Sequence, residues 1–147
     1  MQPEEFVSVL PRVMYILFRD FEFSQPGVHL RKTHQRAMLL LDGQGELPMT
    51  EISKHLGMEK ASATSLIDTL TAMRLVKRQR QAHDRRVVTA TLTPEGRTVA
   101  QSLRQALQRH ARRKLSFLSR AERADFLKAL TILNRLTNRL EPGGDRK

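Results

Sequence analysis

Apolar residues recur at Phe6, Val9, Leu10, Val13, Leu17 and Phe21, the spacing of one helical face. Met14, Ile16 and Phe18 widen that face, so a helix over residues 4–23 should be covered on more than one side. Pro11 falls inside it, where the missing backbone donor is expected to interrupt or kink the helix. Ser24-Gln25-Pro26-Gly27 then reads as a turn. Thr33 can cap a second helix running to about Leu41, stopped by Asp42-Gly43-Gln44-Gly45. A short helix follows from Thr50 to Leu56, with Gly57 at the position where a left-handed residue is usual. The next runs from about Lys60 to Met73 and turns Ala63, Leu66, Ile67 and Leu70 inward.

At Val76 the period changes. Val76-Lys77-Arg78-Gln79-Arg80 and Val87-Val88-Thr89-Ala90-Thr91-Leu92 read as short strands joined by the polar Gln81-Ala82-His83-Asp84-Arg85-Arg86. Thr93 caps a further helix with Pro94 at its first position, extending to about Leu115. Ser119 and Glu122 form a capping box for the last helix, whose inner stripe is Phe126, Leu127, Leu130, Leu133, Leu136 and Leu140. Glu141-Pro142-Gly143-Gly144 should end it. Two helices joined by a short Gly-containing turn, then a hairpin, make a winged helix-turn-helix. The fold class is mainly α with a small β-hairpin wing.

Charge narrows the choice of partner. The formal net charge of +11 favours polyanions and salt-sensitive association. With no cysteine, disulfides, Cys-ligated zinc and thiol redox sensing are excluded. The longest apolar run, Met38 to Leu41, cannot span a bilayer. Glu4 and Glu5 stand where a signal peptide would be basic, so a cytoplasmic protein is expected. The five histidines are scattered, without a companion carboxylate at ligand spacing. No Gly-rich phosphate loop or nucleophile–base pair is legible, so neither an enzyme nor a metal or cofactor site is expected.

A helix entering the major groove reads base edges with polar residues near its N-terminus. Here these are Lys60, Ser62, Thr64 and Ser65, with Asp68 a turn further on. Their small hydroxyls suit water-mediated or shape-aided readout. The wing is more cationic, with Lys77, Arg78 and Arg80 on its first strand and His83, Arg85 and Arg86 at or near its tip; arginine is favoured in a narrow minor groove. Arg97, Arg104, Arg109, Arg112, Arg113 and Lys114 do not share one face, and read as a solvated surface complementing the helix dipole.

Thr50-Glu51-Ile52-Ser53-Lys54-His55-Leu56-Gly57, Ser62 to Leu70, Leu75-Val76-Lys77-Arg78, Asp84-Arg85-Arg86 and Leu92-Thr93-Pro94-Glu95-Gly96 together resemble the MarR family of transcriptional regulators. The last two motifs at this separation are the most specific. The chain departs from the family pattern at Glu59, where a capping Ser or Thr is usual, and at Arg74, where Gly is usual; Arg74 must accept a strained backbone or adopt another geometry.

The resemblance implies that residues 1–32 and 97–147 form dimerisation helices around a winged domain at 33–96. Phe6, Leu10, Val13 and Leu17 would then meet Leu133, Leu136 and Leu140 across a two-fold axis. A monomer would leave that surface as an exposed apolar patch, which points the same way. The resemblance also gives Asp84 the role of orienting a tip arginine, with Arg86 the residue inserted and Arg85 close behind. It implies a homodimer binding double-stranded DNA at a pseudo-palindrome, acting as a repressor that responds to a small aromatic or anionic effector. Phe18, His34 and Arg36 lie where the effector crevice would be lined. Two other readings are an architectural DNA binder with little sequence preference and a membrane-surface protein. The second ranks last, because the basic residues do not oppose a continuous apolar face.

Overall fold

Where the hydrophobic period shifts at Val76, helices give way to a sheet. The structure is a computed structural model describing residues 5–140, without the side chain of Phe6. The Phe6 side chain and the Glu141–Gly144 segment, both part of the sequence reading, therefore lie outside the described residues. The elements run α1 (Phe6–Phe18), α2 (Lys32–Gln44), β1 (Leu47–Pro48), α3 (Met49–Leu56), α4 (Lys60–Ala72), β2 (Val76–Arg80), β3 (Val88–Leu92), α5 (Pro94–Leu115) and α6 (Arg120–Thr137). Residues 20–108 make one compact unit; of the other described residues, 5–19 and 109–140 make the second.

In the first of these units, Met38 and Leu41 of α2, Ile52 of α3, Ile67 and Leu70 of α4, Val76 of β2 and Leu103 of α5 are all essentially buried in one core. The sheet order is β1-β3-β2, antiparallel throughout, with Leu47 opposite Ala90 and Val76 opposite Leu92. Strand β1 is only two residues long and carries Pro48, so it leaves no periodic trace in the sequence; its pairing to β3 is a tertiary result.

Several boundaries differ from expectation. Helix α1 runs through Pro11, which costs only the bond to Val7 near the helix start, and stops at Phe18. Residues 21–23 lie outside it, with Phe21 buried in the core of the other unit. Thr33 does not cap α2. Arg31 is the cap residue, and its backbone N–H donates to Nδ1 of His34 at 3.2 Å. Asp42, Gly43 and Gln44 continue α2, which ends only at Gly45, where φ is 79°. Strand β3 starts at Val88, and α6 ends at Thr137, leaving Leu140 beyond the helix.

The unit formed by α1, α6 and the end of α5 has a different character. His110 accepts or donates at both ring nitrogens, with Nε2 2.7 Å from the Leu17 carbonyl and Nδ1 3.1 Å from the Arg113 guanidinium. Ser119 and Glu122 do form the capping box of α6. No residue of α6 is buried within the chain. Leu127, Leu130, Leu133 and Leu136 are 43–49% exposed, and Val7, Leu10, Met14 and Ile16 of α1 are also exposed.

Candidate nucleic-acid interface

Because Ala63, Leu66, Ile67 and Leu70 fill the core, helical geometry turns the opposite face of α4 outward. Lys60, Ser62 and Ser65 are exposed on it, and Thr64 is half-buried. Glu59 occupies the N-cap in an extended conformation, and its side chain makes no cap hydrogen bond. That removes one usual brace of the helix start while leaving a carboxylate near its positive end.

The far end of α4 is closed unusually. Arg74 has φ of 60°, the left-handed conformation that its position demanded of a residue with a Cβ. The Leu75 N–H donates to the Leu70 carbonyl at 3.0 Å and the Arg74 N–H to that of Thr71 at 2.9 Å, a complete Schellman closure. Thr93 locks this turn to the start of α5. Its hydroxyl donates to the Arg74 carbonyl at 2.7 Å and accepts from the Gly96 N–H at 2.9 Å, while its own N–H donates to the Leu75 carbonyl at 3.0 Å. The Leu-Thr-Pro-Glu-Gly motif is thus the splice between wing and helix.

At the wing tip, the Gln81 N–H donates to the Val87 carbonyl and the Val87 N–H to the Asp84 carbonyl, each at 3.1 Å. Asp84 Oδ1 accepts the backbone N–H of Arg86 at 3.0 Å. Asp84 therefore holds the backbone of the tip at Arg86. Arg80, His83, Arg85 and Arg86 stand exposed around it. Arg78 is exposed too but engaged: its guanidinium lies 2.5 Å from Asp68 of α4.

Glu46 was not singled out from sequence, since its partner is 43 residues away. It accepts from the Thr89 hydroxyl on β3 at 2.5 Å. That hydroxyl, then Gln79, then the charge of Lys77, hold its carboxyl below the usual carboxylate range against the opposing effect of desolvation. The arginines of α5 are also less free than a solvated face implies. Arg97 donates to the Leu92 carbonyl, Arg104 pairs with Asp42, and Arg113 reaches His110.

The effector candidates fall in both units. Phe18, in the terminal-helix unit, stacks on His110 with ring centroids 6.2 Å apart. Arg36 donates to the Leu56 carbonyl at 3.0 Å and so closes the C-terminus of α3. His34 is buried and lines two open crevices of about 480 and 510 Å³, one reaching Phe23 and His29 and the other Ser62 and Ser65. Burial, and secondarily the charge of Arg31, lower its pKa from the ordinary 6.5. A depressed histidine pKa stabilises the fold fully above 6.5, and that stability is lost as pH falls through the native pKa. Accordingly, unfolding midpoints measured from pH 7.5 to pH 5 should fall less steeply for His34→Gln than for the wild-type chain. Parallel curves would remove His34 from the pH dependence.

Of the interface candidates, Val13 and Leu17 are half-buried while Leu10, Leu133, Leu136 and Leu140 are exposed. Among the described residues, no cluster of three or more His, Asp or Glu could hold a metal, and no helix is long and apolar enough to cross a membrane.

A helix-turn-helix followed by an antiparallel hairpin, with a third strand completing the sheet, defines a winged helix-turn-helix protein. Residues 31–87 match the MarR family. Over 100 residues the chain is 29% identical to YfiV of Bacillus subtilis strain 168, an HTH-type transcriptional regulator, covering 68% of this chain and 62% of that one. The chain thus spans less than two thirds of the length of that relative. Among solved structures it is similar to the transcriptional repressor CouR bound to a 23-mer DNA duplex, at TM-score 0.69 and 27% identity over 91% of this chain and 98% of that one. It shares its fold with BpsR of Bordetella bronchiseptica, at TM-score 0.68 and 22% identity over 88% and 98% of the two chains. The winged helix-turn-helix of this chain is thus similar to that of MarR-family transcriptional regulators. Members of that family are regulators and not enzymes.

Proposed function

We propose that this protein binds double-stranded DNA sequence-specifically as a homodimer, at a pseudo-palindromic operator, and represses transcription until a small aromatic or anionic effector shifts its DNA-binding geometry. The observation that carries the reading is the exposed polar start of α4 together with a wing tip whose exposed Arg85 and Arg86 follow Asp84, which holds the tip backbone. The helix is suited to the major groove and the tip to the adjoining minor groove. CouR is a repressor seen on duplex DNA, and the DNA binding of BpsR is regulated by 6-hydroxynicotinic acid; both support the reading by likeness. Dimerisation would cover the apolar residues that α1 and α6 leave exposed. The effector would act through differential affinity for two spacings of the reading helices.

Selection of bound duplexes from fragmented source DNA and a random pool at about 150 mM salt tests this. Enrichment of half-sites about 10 bp apart is expected. Binding without enrichment would instead favour an architectural role. Arg86→Ala should weaken binding by about 1–3 kcal/mol across all sequences and lower the salt slope by about one unit. Ser65→Ala should change which sequences are preferred. Equal losses on every sequence for both variants would contradict that division of labour.

A further inference from the structure

Helix α4 and strand β2 bring one acidic and one basic side chain together on the surface that reads DNA. Asp68 follows Thr64 by four residues and Ser65 by three, so it shares their outward face. On β2, side chains alternate, which places Val76, Arg78 and Arg80 on one side of the strand. Val76 is buried, and β2 lies beside α4, so the next residue in that row, Arg78, arrives next to the helix. There its guanidinium meets Asp68 at 2.5 Å, with the two side chains 33% and 54% exposed. Arg80, one step further out, is exposed.

A carboxylate on a DNA-reading face repels phosphate unless a cation neutralises it. If Arg78 left Asp68 for a phosphate, it would gain one contact and leave the Asp68 charge bare against the same polyanion. The exchange therefore brings little net gain, although an exposed ion pair is weak in itself. We propose that Asp68 and Arg78 form a clamp that persists on DNA: Arg78 is a positioning residue that holds the wing at a fixed angle to α4, and it makes no phosphate contact. Glu46 plays a comparable part on the other side of the wing, where it holds Thr89 and attracts Lys77. The phosphate contacts of the wing then fall to Arg80, Arg85 and Arg86. By restraining its own cations, the protein limits sequence-independent affinity and leaves more of its binding to base and shape readout.

The inference rests on the DNA-binding reading above, and salt dependence separates the two. Affinities of the full-length chain for a random-sequence duplex and for the selected duplex would be measured from about 50 to about 200 mM salt. Each phosphate contact contributes a slope of about 0.9. Asp68→Asn should free Arg78, steepen the slope on random duplex by about 0.9 per protomer, and narrow the ratio between selected and random DNA. The double variant Asp68→Asn/Arg78→Ala should return to the wild-type slope, whereas Arg80→Ala should lose about 0.9 per protomer. A double variant whose slope falls as far as that of Arg80→Ala would put Arg78 on a phosphate and overturn the clamp. Wild-type protein that binds neither duplex would overturn the DNA-binding reading and the clamp with it.

Discussion

Gly96→Ala is expected to destabilise residues 20–108 by about 3 kcal/mol, the upper end of what overpacking costs. Gly96 is buried in the first turn of α5, where its N–H donates to the Thr93 hydroxyl. A methyl group there would overlap the Leu75 carbonyl oxygen and stand 2.9 Å from the carbonyl carbon. That obstacle is backbone, fixed by the Schellman closure of α4 and by the Thr93 N–H, so it cannot swing aside as a side chain would. The strain must spread into the turn at Arg74, which already holds a left-handed conformation. Gly43→Ala is the natural control. It lies in α2 with open space around the added methyl, and should gain about 0.5–1 kcal/mol from helix propensity and unfolded-state entropy. Chemical denaturation of both variants checks the pair; a Gly96→Ala midpoint equal to wild type would mean that the splice between wing and α5 is loose.

Leu136→Asp should convert the protein to monomers in sedimentation experiments and abolish operator binding. Leu136 stands one turn from Leu133 on α6, 45% exposed within the chain. In the proposed homodimer it is covered, which contributes about 1.5–3 kcal/mol per side. Two-fold symmetry places an aspartate on both copies, and each would lose that contribution and leave an unpaired charge in an apolar contact. Binding fails with dimerisation, because a half-site contact alone cannot hold a palindrome. The helical content of the monomer should survive, since no residue of α6 is buried within the chain. A variant that remains dimeric and still binds would place the interface elsewhere.

Much of the architecture was legible because it is written in local rules. The inward row of α4, the Ser119–Glu122 box, Thr93 with Pro94, and the left-handed Gly57 each follow from residues a few positions apart, and all stand in the structure. Arg74 was legible as a problem, and its positive φ is the outcome. What local reasoning missed was competition between equally allowed local choices. Thr33 is a good cap, yet the chain enters α2 two residues earlier because His34 is buried and its ring can take the Arg31 N–H. Gly43 reads as a breaker, but the helix continues because Leu41 is fastened in the core and Asp42 in an ion pair with Arg104.

The candidate interface divides along the same line. Which side chains face outward on α4 follows from its apolar period alone, because the buried row leaves only one face for Lys60, Ser62 and Ser65. Which cations are at liberty could not be read. Arg78, Arg36 and Arg104 look equivalent in sequence to Arg85 and Arg86. In the fold the first three are engaged by Asp68, the Leu56 carbonyl and Asp42, 10, 20 and 62 residues away. By itself the sequence determined the order of the helices and of the two hairpin strands, the winged helix-turn-helix class and the positive charge of the wing, since these depend on periodicity, turn chemistry and composition. The tertiary structure alone decided the strand that completes the sheet, the glycine that α5 cannot replace, and which arginines remain free, because each rests on two groups brought together from distant parts of the chain.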